Sequence, residues 1–427
     1  MGRQVVIVDG VRTPFVKSGA ELREVPAWEL GRAAARELLA RLSFPAHEID
    51  EVVFGCVAQP SDTANIARTI ALRAGVPEET PAMTVGRNCA SGLEAVTLAA
   101  ERILAGRADT VLAGGVESMS SIALEYPLSL SGKLAGLMRA RSLLEKVSVV
   151  STIRWRDVKP VVALERGLTD PTCGEIMGAT AERLAREFCL GRDVQDEYAL
   201  RSHRRAVAAA PLLREEIAPF AVPPRLAERI DGDRGPRAQQ SLESLAKMKP
   251  YFDRQLGSVT IGNSCQITDG AVALLLMEEK CARSHGLRPI GRLLSHAYRG
   301  CDPRRMGLGP VHAAPVALKA AGVNPRDVLR VELNEAFAAQ VLACVAAFAD
   351  PGYSAAVGLK KPWEIDPDRL NVNGGAIALG HPVGATGARL LLTLCRELRR
   401  QGGGVGLATL CVGGGQGGAV VVEGMAA

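Results

Sequence analysis

Aromatic side chains are scarce in this sequence: they make up 4% of 427 residues, whereas apolar residues make up 47%. This balance argues against an aromatic-lined binding module and favours helices packed closely on sheets. A concentrated charge of one sign is also missing, because the formal net charge is +5 and Lys and Arg are interspersed with Asp and Glu. Nucleic acid is therefore not an expected partner.

Metal-binding and targeting patterns are missing as well. The ten cysteines are scattered, with neither a CxxC pair nor a His-rich cluster, so we expect free thiols in a reducing compartment and no metal site. The opening MGRQVVIVDGVRTPF has no charged leader followed by an apolar stretch, which predicts a cytoplasmic location. The apolar run at residues 338–349 is too short for the roughly 20 residues that span a bilayer and predicts a buried helix.

Short β-branched runs alternate with segments of helical periodicity, which is typical of an α/β protein. Strands are predicted at residues 4–9, 51–59, 82–88 and 108–118, and helices at residues 27–42, 65–75 and 91–106. The same order of glycine-rich turn, helix and strand returns between residues 373 and 423. The sequence therefore predicts two similar βαβ-rich halves that arose by duplication.

The predicted organisation has three units. The first half comprises residues 1–122 and 254–282, an inserted and mainly helical segment comprises residues 123–253, and the second half comprises residues 283–427. In each half a reactive residue, Cys89 or His381, lies at or just before the start of a long helix. Because open α/β sheets bind ligands at such junctions, we expect the site where the two halves meet.

The first part of the inserted segment, residues 126–150, combines apolar positions with regularly spaced basic residues. Such a segment is typical of an amphipathic helix that lies on a membrane surface or on a partner. An ordinary solvated helix over the core has the same pattern. The sequence leaves both interpretations open.

Four motifs contain candidate catalytic residues. NCASGLEA places Cys89 before a helix, where unpaired N–H groups and the helix dipole favour a thiolate. GHPVGATG places His381 among glycines as a candidate base, and LCVGGGQGGA places Cys411 before glycines whose N–H groups can bind an oxyanion. VELNEAF offers the amide of Asn334 and the carboxylate of Glu335. Each motif alone has a plain structural interpretation: an inert buried cysteine, a capping histidine, a glycine turn or a helix cap.

Taken together and in this order, the motifs resemble those of the thiolase family along essentially the whole chain. The resemblance includes RTPF, NCASGLEA, GGVESMS, SLAKMKPYF, GNSCQITDGA, MGLGP, NEAF, GHPVGATGAR and CVGGGQGG. It implies a thiolase-like α/β fold in which the duplicated halves form a layered α/β/α/β/α core. It also implies an acyltransferase that uses coenzyme A as co-substrate and has no covalently bound cofactor.

The resemblance implies a role for each motif. Cys89 matches the nucleophile that becomes acylated, His381 its base, and Cys411 the general acid and base that handles the CoA thiol and the α-carbon. One oxyanion site would consist of His381 and a water held by Asn334, and the other of the backbone N–H groups of Cys89 and Gly413. The implied reaction is the CoA-dependent cleavage of a 3-ketoacyl-CoA to acetyl-CoA and a shortened acyl-CoA, reversible as a Claisen condensation.

Two positions depart from the family's patterns. Where short-chain biosynthetic thiolases have a His-Met-Gly motif, this sequence has Ile176 before Met177. Without that polar group it resembles more closely the β-subunit of fatty-acid oxidation complexes, which predicts longer 3-ketoacyl chains and a role in fatty-acid β-oxidation. At the serine of the family's NASG motif the sequence has Cys265, which follows Ser264.

Contacts with the substrate and CoA are predicted at Arg234, Arg237 and Lys249, which precede the GNSCQITDG motif in the family's CoA-binding region. Ser264 and Met177 are further predicted contacts. The resemblance also implies a homodimer or a dimer of dimers, and a multifunctional α-subunit with hydratase and dehydrogenase activities as partner.

Three competing functions are compatible with the same motifs. They are a short-chain acetyl-CoA acetyltransferase that makes acetoacetyl-CoA, a condensing enzyme that depends on a carrier protein, and an inactive lipid-binding protein with a thiolase fold. Cys411 argues against the carrier-protein enzyme, which uses histidine or asparagine in the second role. The intact set of Cys89, His381 and Cys411 argues against an inactive protein.

Overall fold

The computed structural model describes residues 2–224, 226 and 229–426. The ends of the two predicted halves, at residues 1 and 427, and residues 225, 227 and 228 of the predicted inserted segment lie outside the described residues. None of the described helices has the length and apolar character needed to cross a membrane.

The first part of the chain alternates strands and helices, as its sequence predicts. It contains β1 (Val5–Arg12), β2 (Val16–Lys17), α1 (Ala27–Leu42), β3 (Glu51–Gly55), α2 (Ile66–Ala74), β4 (Ala82–Val85), α3 (Ser91–Leu104) and β5 (Thr110–Glu117). The predicted range of the second helix, residues 65–75, begins and ends at the capping residues of α2. The side chain of Asn65 accepts the N–H of Arg68, and Gly75 ends the helix with φ 93°.

Two strands are shorter than predicted, because the residues that follow them form turns with other contacts instead of continuing the sheet. The strand predicted at residues 51–59 stops at residue 55, since the N–H groups of Val57 and Ala58 donate to the Glu117 carboxylate at 3.1 and 2.9 Å instead of to a strand. The strand predicted at residues 82–88 stops at residue 85, since Asn88 adopts φ 43° and turns the chain before Cys89.

The chain between β5 and the next long strand is mainly helical. It contains β6 (Leu124–Glu125), α4 (Leu128–Arg139), α5 (Leu143–Ser151), α6 (Trp155–Val158), β7 (Val161–Val162), α7 (Ala163–Gly167), α8 (Met177–Glu187), α9 (Arg192–Ala208), α10 (Ala210–Arg214), β8 (Phe220–Ala221), β9 (Arg229–Ile230) and α11 (Leu242–Ala246). The short strands form two separate pairs, β6 with β7 and β8 with β9.

The remaining chain returns to alternating strands and helices. It contains β10 (Thr268–Glu278), α12 (Glu279–Ser284), β11 (Gly291–Gly300), α13 (Gly309–Ala321), β12 (Val328–Leu333), α14 (Ala338–Ala349), α15 (Pro351–Ala356), α16 (Ala376–Leu379), α17 (Val383–Arg400), β13 (Gly404–Val412) and β14 (Gln416–Gly424). The apolar run at residues 338–349 forms α14, as predicted, and most of that helix is buried.

The sheet confirms the predicted duplication. Its strand order is β12-β13-β14-β11-β1-β10-β5-β3-β4, with β2 beside β10. The series β3-β5-β10-β1 corresponds to the series β12-β13-β14-β11, because the first pair of each is parallel and the other pairs are antiparallel. The halves join where β1 meets β11, at Val6 opposite Arg292 and Ile7 opposite Gly291.

Buried apolar clusters fill the spaces between five layers. One cluster lies under α1 and α2 and includes Leu30 and Ile70. The second surrounds α3 and α17, which lie between the two halves, and includes Leu93 and Leu391. The third lies under α13 and α14 and includes Val341. The predicted α/β/α/β/α arrangement follows from these three cores.

The mainly helical chain between β5 and β10 has a packed part and an exposed part. Leu184 of α8 and Tyr198 of α9 belong to the third apolar cluster, so these helices pack against the second half. By contrast, no residue of α4 or α5 is buried. The packed part lies next to the site, whereas the exposed part projects from the body of the protein.

Glycines allow α3 and α17 to touch through their first turns. A methyl group on Gly92 would lie 2.7 Å from the carbonyl oxygen of Gly384, and one on Gly387 would lie 2.7 Å from Leu93 Cβ. Each helix begins two residues after a candidate catalytic residue, Cys89 or His381. The glycine contact therefore brings the two helix starts, and the two reactive side chains, to the same place.

Replacing Gly387 by alanine tests this contact. Because the added methyl group has no room beside Leu93, we expect the free energy of unfolding to fall by about 1–3 kcal/mol. The matched variant Gly132→Ala, also inside a helix, has nothing within 4 Å of the new methyl group and should keep or slightly raise stability. Urea denaturation of both variants gives the comparison. Equal midpoints would contradict the close packing of α3 on α17.

Candidate active site

A tight turn between β4 and α3 presents Cys89. The N–H of Arg87 donates to Ser91 Oγ at 2.9 Å, and that hydroxyl donates to the Asn88 carbonyl at 2.7 Å. Asn88 holds a positive φ of 43°, and Ala90 is the N-cap of α3. The chain therefore closes on itself around Cys89, whose side chain remains partly exposed.

The glycine-rich turn after β13 lies against Cys89. The Asn88 side-chain amide donates to the carbonyl of Gly413 at 2.8 Å. The backbone N–H groups of Gly413 and of Cys89 itself are near enough to the Cys89 thiol to lower its pKa. Cys411, two residues before Gly413, is buried close enough to Cys89 for the two thiols to influence each other's charge. The structure thus brings together Cys89, Cys411 and Gly413, three residues that the motifs predict to be catalytic.

Both candidate thiols are held in the protonated form. Burial raises the pKa of Cys89; its two backbone donors lower it without cancelling that effect, and the Glu117 carboxylate raises it further. Burial also raises the pKa of Cys411 well above its usual value, and the neighbouring Cys89 adds to the shift. Burial of Cys89 therefore acts in the opposite direction to the start of α3, which is expected to favour a thiolate.

His381 is buried and has one engaged nitrogen. Its Nδ1 lies 2.6 Å from Thr386 Oγ1, and that hydroxyl donates its own proton to the carbonyl of Pro382 at 3.0 Å. Because the hydroxyl proton is used, Nδ1 must carry the hydrogen of the imidazole and Nε2 the free lone pair. Burial lowers the pKa of His381 to about 4, and Arg389 contributes to the shift. The imidazole is therefore neutral near pH 7, with Nε2 available as an acceptor.

Asn334 lies directly after β12 with its amide buried. Its backbone N–H donates to the carbonyl oxygen of Thr409 on β13 at 3.0 Å. Within the described part of the chain, neither side-chain atom of Asn334 has a hydrogen-bond partner, and the same holds for Nε2 of His381. Buried polar groups are nearly always paired, so these groups are suited to a substrate oxygen or a bridging water.

The GNSCQ segment joins Asn334 to His381. The N–H of Cys265 donates to the carbonyl of Ala336 at 3.0 Å, and the carbonyl of Gln266 accepts the N–H of His381 at 2.9 Å. Burial raises the pKa of Cys265 to about 12, with Cys89 as the next contributor. Cys265 is thus a protonated thiol near the candidate nucleophile.

The two predicted contacts Ser264 and Met177 lie in different surroundings. Ser264 is buried, and its hydroxyl donates to the Thr260 carbonyl at 2.6 Å, so it is engaged with its own segment. Met177, the first residue of α8, lies against the glycine turn: a methyl group on Gly413 would be 3.3 Å from Met177 Sδ. Met177 also packs on an apolar cluster that includes Cys411.

The three predicted CoA-binding cations are all exposed and do not converge on the thiols. Arg234 forms an ion pair with Glu21 at 3.3 Å. The backbone N–H of Arg237 donates a hydrogen bond to His203 Nδ1 at 3.3 Å. The side chains of Arg237 and Lys249 form no ion pair within the described ranges. Their segment does reach the site, because Gln266 Nε2 donates to the carbonyls of residues 235 and 378 at 3.2 and 3.1 Å.

Family models identify the chain. The model described as "Thiolase, N-terminal domain" matches residues 5–280, and "Thiolase, C-terminal domain" matches residues 287–424. The chain belongs to the thiolase family. The resemblance predicted from the motifs is confirmed, and the duplicated α/β architecture is the thiolase fold.

Individual thiolases match over almost the whole chain. The 3-ketoacyl-CoA thiolase of Yersinia pestis (strain Pestoides F) is 41% identical over 432 residues, covering 99% of this chain and 97% of the relative. The acetyl-CoA acetyltransferase of Bacillus anthracis superposes with a TM-score of 0.86 at 35% identity, covering 99% of both chains. Human mitochondrial 3-ketoacyl-CoA thiolase in complex with CoA superposes with a TM-score of 0.85 at 34% identity, covering 99% of this chain and 98% of that one.

The thiolase site contains three further residues to which the sequence alone assigns no role. Thr386 orients His381, and Gln266 joins the histidine segment to the backbone of residue 235. The buried carboxylate of Glu117 accepts the N–H of Gly384 at 2.8 Å and so joins β5 to the first turn of α17. A carboxylate at the end of an apolar strand in GGVES is the signal that could have drawn attention to Glu117.

The pKa shifts predict how alkylation of Cys89 depends on pH. Because the pKa of Cys89 is raised and His381 is neutral near pH 7, the thiolate fraction should rise about tenfold per pH unit and reach no plateau below about pH 9. Iodoacetamide labelling at a series of pH values, read by mass spectrometry, measures the rate. Cys89→Ala supplies the background from the other cysteines. A plateau near neutral pH would show that the thiolate is stabilised in the free protein.

Proposed function

We propose that this thiolase cleaves 3-ketoacyl-CoA with coenzyme A, giving acetyl-CoA and an acyl-CoA shorter by two carbons. The observation that supports the proposal most strongly is the convergence of Cys89, two backbone donors and Cys411 at one turn. The names of the relatives point in the same direction, since the Yersinia protein is a 3-ketoacyl-CoA thiolase. A role in fatty-acid β-oxidation is part of this proposal.

The first half-reaction uses His381 and both thiols. His381 Nε2 takes the proton of Cys89, and the sulfur attacks the 3-keto carbon of the substrate. The bond between the α-carbon and that carbonyl carbon breaks, leaving the acyl group on Cys89 and acetyl-CoA as its enolate. Cys411 donates its proton to the enolate carbon, so acetyl-CoA leaves neutral and Cys411 is left as a thiolate.

The second half-reaction restores the protonation state of Cys411, Cys89 and His381. The Cys411 thiolate takes the proton of the incoming CoA thiol, and the resulting sulfur attacks the acyl group on Cys89. Cys89 leaves as a thiolate and regains its proton from His381. The raised pKa of both cysteines suits this exchange, because each thiolate formed during turnover is a strong base in a buried site.

Negative oxygen develops in both half-reactions and needs preorganised donors. We assign one oxyanion site to His381 Nε2, protonated after it has accepted the Cys89 proton, together with a water held by Asn334. We assign the other to the N–H groups of Cys89 and Gly413, which lie near enough to the thiol to lower its pKa. Removing one such donor typically costs about 3 kcal/mol of transition-state stabilisation.

We propose longer 3-ketoacyl chains as the preferred substrates. The apolar cluster around Cys411 includes Ala181, Met306 and Phe337, with Phe252 and Met177 packed on it. Phe252 meets Phe337 edge-on at 5.9 Å. This surface, with Ile176 in place of a polar residue, favours an acyl chain over the acetoacetyl group. The similar TM-scores for an acetyl-CoA acetyltransferase and a 3-ketoacyl-CoA thiolase make the short-chain reaction the principal competing function.

Coenzyme A is the proposed co-substrate, with no covalently bound cofactor. A structural relative is a complex with CoA, and the exposed cations Arg234, Arg237 and Lys249 suit the phosphates of such a ligand. Met177 lies beside the catalytic turn, where it can contact the thioester end. Ser264 is a weaker candidate, because its hydroxyl is already engaged.

A chain-length series tests the reaction and the substrate preference together. CoA-dependent cleavage of 3-ketoacyl-CoAs of four to sixteen carbons should be fastest for long chains and should be abolished in Cys89→Ala. Mass spectrometry should detect acylated Cys89 in the wild type when CoA is withheld. Preference for acetoacetyl-CoA would overturn the substrate assignment. Turnover of malonyl carrier protein would indicate a carrier-protein-dependent condensing enzyme instead, and a bound lipid without turnover would indicate an inactive lipid-binding protein.

We propose further that α4 and α5 rest on an anionic lipid surface. Large apolar side chains of this region are almost fully exposed, among them Leu144 of α5 at 84% and Trp155 of the adjoining α6 at 79%. Residues 124–159 contain seven Lys or Arg and three Asp or Glu. One of those acids, Asp157, is buried and paired with Lys133. An exposed apolar surface surrounded by cations matches the chemistry of an anionic membrane interface.

Vesicle binding tests this surface. Adding vesicles rich in anionic lipid should shift the fluorescence of Trp155 to the blue, whereas neutral phosphatidylcholine vesicles should not. Leu144→Ser should weaken binding by about tenfold. The matched control Leu256→Ser, which changes a side chain 82% exposed outside this region, should bind as the wild type does. Equal binding to neutral vesicles, or no binding, would overturn the proposal and favour a protein partner at this face.

The assembly and location remain predictions that rest on the family resemblance and the sequence. They are a homodimer or dimer of dimers, an α-subunit with hydratase and dehydrogenase activities, and a cytoplasmic location. The edge strand β4 is consistent with pairing between subunits, because it is the last strand of the sheet and its side chains are half-buried.

A further inference from the structure

The carboxylate of Glu335, the residue after Asn334, is 1% exposed and accepts four hydrogen bonds. Its donors are Tyr198 Oη at 3.0 Å and Asn371 Nδ2 at 3.1 Å on Oε1, and Ser202 Oγ at 2.6 Å and the N–H of Ile377 at 3.2 Å on Oε2. Two donors come from α9, and the other two come from the segment that leads to His381.

Four neutral groups donate to Glu335, and no cation is hydrogen bonded to it within the described residues. Two other buried carboxylates are instead paired directly with arginine, Glu332 with Arg389 at 2.8 Å and Glu216 with Arg12 at 2.7 Å. Glu335 has no ion pair in the described part of the chain, and its two carboxyl oxygens accept all four hydrogen bonds. A buried carboxylate of this kind is stable only while all its donors stay in place. It therefore fixes their positions relative to one another.

The segment before His381 is packed directly on this carboxylate. A methyl group on Gly375 would lie 2.6 and 2.7 Å from the two carboxylate oxygens of Glu335. Asn371 exchanges two hydrogen bonds, both of 2.8 Å, with the backbone of Leu333 at the end of β12. The end of β12 and the histidine segment are thus held to the same group.

We propose that Glu335 is a positioning residue that sets the separation of Asn334 and His381, the two side chains assigned to the first oxyanion site. Tyr198 and Ser202 extend this control to α9, so the mainly helical segment takes part in shaping the site. The inference rests on the proposed thiolase reaction. Glu335 has no hydrogen bond to Cys89 within the described residues, so its loss should act through the positions of Asn334 and His381.

Glu335→Gln is the primary test, because glutamine has nearly the same shape as glutamate. Its amide NH₂ group cannot accept the hydrogen bonds that one carboxylate oxygen of Glu335 accepts. We expect kcat for the best 3-ketoacyl-CoA to fall about 10- to 100-fold, the usual result of misplacing a catalytic group by an ångström. KM should change less than about threefold. Tyr198→Phe and Ser202→Ala each remove one donor and should lower kcat less than Glu335→Gln does; they decide the matter if Glu335→Gln does not fold.

The control is Glu216→Gln, which changes an equally buried carboxylate away from the site. It should lower the midpoint of urea unfolding while keeping kcat within about twofold. If Glu335→Gln behaves like this control, Glu335 is only structural and the proposal is wrong. A wild-type protein that cleaves no 3-ketoacyl-CoA would instead remove the proposed function, whatever the variants do.

Discussion

The backbone contact between α3 and α17 is the constraint on which the site depends. Gly92 touches the carbonyl of Gly384, and Gly387 touches Leu93, so the first turns of the two helices meet without side chains between them. Each helix is preceded by a reactive residue of its own half. Duplication alone does not bring the two reactive turns into contact. The glycines allow that contact, because only a residue without Cβ permits backbones to approach so closely.

Burial then determines the electrostatics of the joined turns. The same loss of water raises the pKa of Cys89 and Cys411 and lowers that of His381, so all three groups are neutral before substrate arrives. A neutral thiol and imidazole avoid the large cost of a buried ion pair in the resting protein. Under the proposed reaction, charge appears only when a substrate oxygen can share it with Asn334 and the backbone donors. The unpaired polar atoms of Asn334 and His381 are consistent with that use.

The mainly helical segment affects the site in two ways. Through Met177 and Phe252 it adds apolar surface next to Cys411, where the proposed acyl chain would lie. Through Tyr198 and Ser202 it holds the Glu335 carboxylate that in turn holds the segment before His381. In the proposed reaction, substrate selection and the geometry of the oxyanion site would both depend on this segment. The exposed helices α4 and α5 lie outside both networks, which leaves them available for a surface contact.

Local sequence determined most of the elements and the identity of the family. The periodicity at residues 27–42 and the apolar run at residues 338–349 each became a helix with those bounds, because regular spacing of apolar residues decides local structure. The motifs named Cys89, His381, Cys411 and Asn334 as candidates for catalysis, and the family models confirm the resemblance on which those roles rest.

Only the tertiary structure decided which groups are buried together and in what protonation state. The sequence predicts that the helix start favours a thiolate at Cys89, whereas burial of the thiol acts in the opposite direction and raises its pKa. Thr386 and Glu117 acquire their roles only from contacts across the fold, and the donors of Glu335 come from α9 and from residues near position 375. No local pattern reports these contacts, because desolvation and hydrogen bonding depend on which distant segments pack together.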